Sequence, residues 1–174
     1  MKPIRRVIAS LCLTALWATP AGHANEPAQP GHGRLEDALL QNLVGSWKVT
    51  RKIRGTIVGN TLEAEWVLQH EFVQLHMEDV AKPPQYEALV LIGFDRSTRR
   101  YVAHWCDNFG AQYSGVGYGT RTGNVIEFVF NYADGPFHNT FSWDPGARTW
   151  TFLMEAEGKD GKRTFFAEDT VRRK

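Results

Sequence analysis

The stretch Leu43-Val44-Gly45-Ser46-Trp47-Lys48-Val49-Thr50 (LVGSWKVT) decides how the rest of this chain is read. Upstream of it, Leu35, Leu39, Leu40 and Leu43 recur at helical spacing, so one short amphipathic helix precedes Gly45. Downstream, alternation of period two starts at once. Trp47, Val49, Arg51 and Ile53 share one face, and Lys48, Thr50, Lys52 and Arg54 share the other. Trp47 thus stands where a helix hands over to a first strand, placed either to bind a ligand or to close the fold.

From Trp47 to the C-terminus the pattern is strand after strand. Segments are expected at 46–54, 60–69, 71–79, 86–95, 100–107, 112–120, 125–132, 137–143, 149–156 and 163–172. The alternation is clearest where Leu62, Ala64, Trp66 and Leu68 face one way, and again at Ile126, Phe128, Phe130 and Tyr132. Turn chemistry separates the segments at 58–60, 95–99, 121–124, 133–136, 144–148 and 158–162. These connections are too short for crossover helices, so neighbours are expected to pair antiparallel. About ten consecutive strands close most simply into an up-and-down antiparallel barrel, which removes exposed edges. The fold class is therefore all-β with a short N-terminal helix, and a Greek-key sandwich is the alternative.

The N-terminus reads differently. Lys2, Arg5 and Arg6 precede an apolar run from Val7 to Ala18, and small residues end at Ala24. That is the form of a secretory signal peptide over residues 1–24, too short to span a bilayer as a helix, with cleavage expected after Ala24. Residues 25–33 are rich in Pro and Gly and read as a flexible leader, and 34–174 as a single domain. A periplasmic or secreted location follows, with no membrane span after cleavage. The mature chain would carry 17 Lys+Arg against 19 Asp+Glu, which leaves no electrostatic footprint for nucleic acid. Only Cys106 would remain, so no internal disulfide is available and stability rests on the core. The oligomeric state is not legible from these features.

Gly45-Ser46-Trp47 at the first strand resembles the Gly-x-Trp signature of lipocalins and the wider calycin barrels. That resemblance implies structural roles for Gly45 and Trp47, with an arginine of the last strand, Arg172 or Arg173, stacked on the indole; Arg172 is the first choice. LVGSW, the Gly93-Phe94-Asp95 turn, Trp105-x-Asp107 and the closing Thr170-Val171-Arg172 are similar to a bacterial family known as domain of unknown function 1579. It implies a calycin-like barrel and no particular reaction. Nitrobindins, a related group of ten-stranded barrels, hold haem through a histidine near the C-terminus. This chain has no histidine after His138, so the resemblance does not extend to haem, and no cofactor is expected.

The leading functional expectation is a barrel that carries or sequesters a small apolar or amphipathic ligand, with Arg51, Trp66, His76 and Tyr113 as cavity residues. Arg51 shares the inward face with Trp47 and Val49, so it needs an anionic partner. That partner is either a ligand carboxylate or an internal acid such as Glu78, Asp107 or Glu127, unless Arg51 stands near the open rim. The alternative is a periplasmic enzyme using His76 with Glu78, or His104 with Asp107, as acid–base groups. A third reading is a filled barrel whose outer surface serves a protein partner. His104 and Cys106 share a strand face, but they match no metal-ligand spacing, and no metal is assigned. The glycines of 115–123 precede no helix and so form no phosphate loop; they read as strand glycines at barrel bends.

Overall fold

Strand β1 (Gly45–Ile53) turns back into β2 (Thr56–Val67) through Arg54 and Gly55, both left-handed at φ 49° and 78°. Two consecutive residues with positive φ make the tight hairpin whose twist matches that of its strands. The sequence places this turn at 58–60. Those residues lie instead inside β2, with Gly59 opposite Thr50, because Arg54-Gly55 already supplies the reversal. The structure is a computed structural model and describes residues 33–174. The expected signal peptide, its cleavage site after Ala24, and the leader up to residue 32 lie outside the described residues.

The remaining strands follow in meander order: β3 (Phe72–Asp79), β4 (Glu87–Asp95), β5 (Arg100–Asp107), β6 (Gly115–Thr122), β7 (Val125–Tyr132), β8 (Gly135–Asp144), β9 (Thr149–Glu157) and β10 (Arg163–Arg173). Each pairs antiparallel with its neighbours, and β10 returns to β1 to close a ten-stranded barrel. The closing register sets Trp47 opposite Arg173 and Arg51 opposite Asp169. With one short α-helix among the described residues, α1 (Ala38–Gln41), this is the all-β barrel that the strand rhythm predicts.

Helix α1 is shorter than the leucine spacing suggests. Asp37 caps it, accepting hydrogen bonds from the amides of Leu39 and Leu40 at 2.8 and 2.9 Å. The same carboxylate accepts the Tyr101 hydroxyl, which ties the cap to the barrel wall. Leu35, Leu39, Leu40 and Leu43 are all buried. Carbonyls at the end of a helix have no partner within it, and here side chains supply them. Trp150 Nε1 donates to Asn42 O at 3.1 Å, Trp47 Nε1 to Leu43 O at 2.7 Å, and Arg173 Nη1 to Val44 O at 2.7 Å.

The Arg173 guanidinium also lies 3.8 Å above the centre of the Trp47 ring, a contact worth about 1 kcal/mol. Arg172, the first choice from sequence, points the other way. It stands opposite Lys48 on the outer face, because strand alternation sends neighbours to opposite sides. Gly45 makes the stack possible: it holds φ 130°, and a Cβ there would lie 1.8 Å from Arg173 Nη1. Trp47 therefore closes the fold at the end covered by α1.

Rings fill the barrel above that floor. Trp47, Trp150, Phe128, Phe141 and Phe152 are fully buried, and Phe141 stacks on Phe152 with centroids 4.0 Å apart. Burying each such side chain contributes roughly 1.5–3 kcal/mol. The glycines of β6 make the space: a Cβ at Gly117 would sit 2.6 Å from the Phe130 ring, and one at Gly119 2.8 Å from Phe128.

Candidate functional site

At the end opposite α1 the interior changes character. Arg51 and Asp169, directly opposite across β1 and β10, form a two-point ion pair, Nε to Oδ1 and Nη2 to Oδ2, each at 2.7 Å. Asp169 is wholly buried and Arg51 nearly so. Burial works against the guanidinium charge, but the hydrogen bonds and field of Asp169 outweigh it and hold the Arg51 pKa above its ordinary value. Arg51 Nη2 also lies 3.1 Å from Met77 Sδ, and the guanidinium carbon 4.8 Å from the Tyr86 ring centre. Burial pushes the Tyr86 phenol up, with Arg51 pulling it down. Tyr86 packs in turn against Phe109, whose ring is 5.8 Å away in the loop after β5.

Two asparagines complete this end. Asn60 on β2 is 3% exposed, and neither its Nδ2 nor its Oδ1 has a hydrogen-bond partner among the described residues. Asn60 stands opposite Asp79 on β3, but Asp79 Oδ1 accepts instead from the Ala81 amide at 2.9 Å. Asn139 on β8, equally buried, has an Oδ1 unpartnered among the described residues. An unsatisfied buried polar group costs about 1–3 kcal/mol, so three such atoms in one barrel interior require an explanation. Tyr132 belongs to the same end: burial, then the fields of Asp107 and Tyr86, push its phenol up, and its hydroxyl donates to Tyr113 O at 3.2 Å.

Concavities also lie on the outside of the described residues, two of them well defined. One, of about 500 Å³, is lined by Ala147, Arg148, Thr149, Arg172 and Arg173. The other, of about 310 Å³, lies beside α1 between Glu36, Asp37, Ala38, Gln41, Trp66 and His70.

The family model for the protein family of unknown function DUF1579 matches residues 33–173, the whole barrel with its helix. The chain belongs to this family. Among solved structures, it is similar to Rv2717c from M. tuberculosis, at 16% identity and a TM-score of 0.53. That match covers 79% of this chain and 98% of the other. At that identity the likeness concerns the fold alone. A redesigned β-barrel matches at 12% identity over 78% of this chain and 95% of its own, with a TM-score of 0.33. No curated protein matches the chain.

Within this DUF1579 barrel the four expected cavity residues are scattered. Arg51 points inward as the alternation predicts, but its partner is Asp169 rather than Glu78, Asp107, Glu127 or a free carboxylate. Trp66 stands at the closed end, stacked on His70 at 3.8 Å and donating to Gln41 Oε1 at 2.7 Å. His76 faces outward, because Val73, Leu75 and Met77 take the inward positions of β3; its Nε2 meets Glu87 Oε1 at 2.8 Å. Tyr113 sits exposed on the loop after β5, at the rim of the end that holds Arg51.

The acid–base pairings are not assembled. Glu78 bonds Lys82 rather than His76, and that bond holds its carboxyl below the ordinary value. His104 is on the outer face while Asp107 shares the face of Tyr101 and Ala103. Cys106 is exposed, and His138 lies on another wall with both ring nitrogens bonded, to Glu127 and Glu157. Among the described residues no group of three His, Cys, Asp or Glu side chains is arranged to hold a metal.

Sequence reasoning did not single out Asn60, Asp169, Asn139 and Tyr86. A signal existed for three of them. Asn60 continues the inward series Leu62, Ala64, Trp66, Asn139 sits between inward Phe137 and Phe141, and Asp169 between inward Ala167 and Val171, so each is a polar residue at a core position. Tyr86 precedes β4 in a loop, where periodicity says nothing about direction.

Proposed function

We propose that the protein is an exported barrel that holds one small, largely apolar molecule at the end opposite α1, with its polar group against Asn60. The observation that carries this reading is the Asn60 amide, buried with both its donor and its acceptor unpartnered among the described residues. A ligand offering one donor and one acceptor, such as an alcohol or an amide, satisfies both atoms. A free carboxylate suits the site less, since Asp169 already neutralises Arg51. The apolar part of the ligand lies against Met77, Tyr86 and neighbouring rings, and entry requires the contact between Tyr86 and Phe109 to part. Export rests on the signal-like residues 1–24.

Native mass spectrometry of protein purified from its own periplasm tests this reading, with the denatured mass as reference. The expected result is an added mass that is released on denaturation and carries a hydroxyl or amide group. Asn60→Leu is expected to abolish that retention while raising the urea midpoint of the ligand-free protein, because an unsatisfied amide has been removed. A bare protein mass, together with no binding of amphipathic fluorescent probes, refutes the proposal.

A further inference from the structure

We propose that the concavity at the closed end is a separate site for a compact phosphate dianion, carried on a soluble ester or on a lipid headgroup. It lies at the opposite end of the barrel from Asn60 and does not depend on the reading above. Among the described residues five line it, of which Arg148, Arg172 and Arg173 are cationic, Thr149 brings a hydroxyl and none is acidic. Among the described residues Arg148, Arg172 and Arg173 form no ion pair. The acid of the adjoining turn, Asp144, is turned onto the backbone, where its Oδ1 accepts from the amides of Gly146 and Ala147 at 2.8 and 3.0 Å.

The arrangement costs free energy in the unliganded protein. Arg172 stands directly opposite Lys48 across β10 and β1, and like charges so placed destabilise a sheet. Arg148 holds φ 53°, a conformation unfavourable for any residue with a side chain. Burial and then the field of Arg148 depress the Arg173 pKa below that of an ordinary arginine, so the guanidiniums act on one another without a neutralising carboxylate. Arg54 and Arg99 hold the same left-handed conformation in other turns, so what sets this spot apart is the gathering of three arginines, a departure from local rules of the kind expected at functional or strained sites.

The roles divide by geometry. Arg173 is fixed by the Val44 carbonyl and the Trp47 ring, so it offers a stationary positive charge. Arg148 and Arg172 are exposed and remain available to grip oxygens in the two-point manner that guanidinium favours. A volume of about 500 Å³ exceeds what a bare phosphate fills, which leaves room for the organic part of an ester.

Isothermal titration of the protein with inorganic phosphate at low ionic strength tests the site, and flotation with vesicles distinguishes the two sources. The paired substitution Arg148→Gly, Arg172→Met removes the grip and leaves the Arg173 floor intact, and Gly accepts the left-handed backbone at 148. Lys159→Met, in the loop between β9 and β10 at the other end, is the control. Saturable phosphate binding is expected, weakened about tenfold or more by the pair and unchanged by the control. Recruitment to phosphatidic acid vesicles over phosphatidylcholine, lost in the pair, assigns the phosphate to a lipid; binding of the soluble anion alone assigns it to an ester. No saturable phosphate response and no vesicle preference overturns the proposal, as does an equal loss in the control.

Discussion

Replacing Asp169 by Asn keeps the shape of the side chain and removes its charge, leaving the Arg51 guanidinium buried without a counter-ion. Asp169 is wholly buried, and its two oxygens each accept from Arg51 at 2.7 Å. Breaking such a pair from one side costs about 3–5 kcal/mol, a large share of the roughly 5–15 kcal/mol that holds a domain of this size together. The fall in Tm is expected to be roughly 10–15 °C, since each kcal/mol shifts a domain of this length by about 3 °C. Urea unfolding followed by tryptophan fluorescence measures the change. The double substitution Arg51→Met, Asp169→Leu is the decisive companion, because a well-packed apolar pair replaces a buried ion pair at little or no net cost. It is expected to unfold at a higher urea concentration than Asp169→Asn alone. A cost below about 1 kcal/mol for Asp169→Asn would refute the reasoning, since it would mean that water reaches the pair. So would a double variant that loses more than the single.

Gly45→Ala is expected to destabilise by about 2 kcal/mol or more and to shift the emission of Trp47, because a methyl group at that φ displaces the Arg173 guanidinium from the indole. Equal stability and an unchanged spectrum would count against the stack. Gly117→Ala, whose methyl group would meet the Phe130 ring at 2.6 Å, is expected to cost about 1–3 kcal/mol in chemical denaturation, with Phe130→Leu recovering part of the loss. Failure of that rescue would show the glycine is needed for its backbone rather than for space. The Glu127 carboxyl is held below its ordinary value of 4.5, first by the hydrogen bond from Arg163 and then by that from His138. A depressed carboxyl stabilises the fold above its ordinary value, and that support is lost as pH falls through the folded value. Glu127→Gln should therefore lower the denaturation midpoint at neutral pH and flatten its fall as the pH drops below about 5. Parallel pH profiles for the two proteins would contradict this.

What the sequence determined is what nearest neighbours along the chain encode. Period-two alternation separated by turn chemistry specified ten strands, and short connections specified antiparallel meander order. Strand β5 was legible to the residue, at 100–107, and β7 likewise, at 125–132, because each is bounded by strong turn residues. Leu35, Leu39, Leu40 and Leu43 correctly marked an apolar face, yet α1 is only Ala38–Gln41, since those leucines are buried by docking on the barrel floor and not by helix alone. The alternation through Trp47 also put Arg51 inside, and that much of the candidate site was legible.

Its partner was not. Asp169 lies 118 positions away and meets Arg51 only because β10 closes on β1 in one register, a choice made by the packing of the whole barrel. The same closing register selects Arg173 over Arg172 for the Trp47 stack. The direction of His76 is settled in a related way: both faces of β3 carry large side chains, and tertiary packing takes Val73, Leu75 and Met77 for the inside and leaves His76 outside. The arginine concavity joins a β8–β9 turn to the end of β10, so it exists only once those ends are adjacent. Local free energies decide which segments become strands. Which side chains meet is decided by the burial of the entire apolar surface at once, and no single stretch of sequence carries that sum.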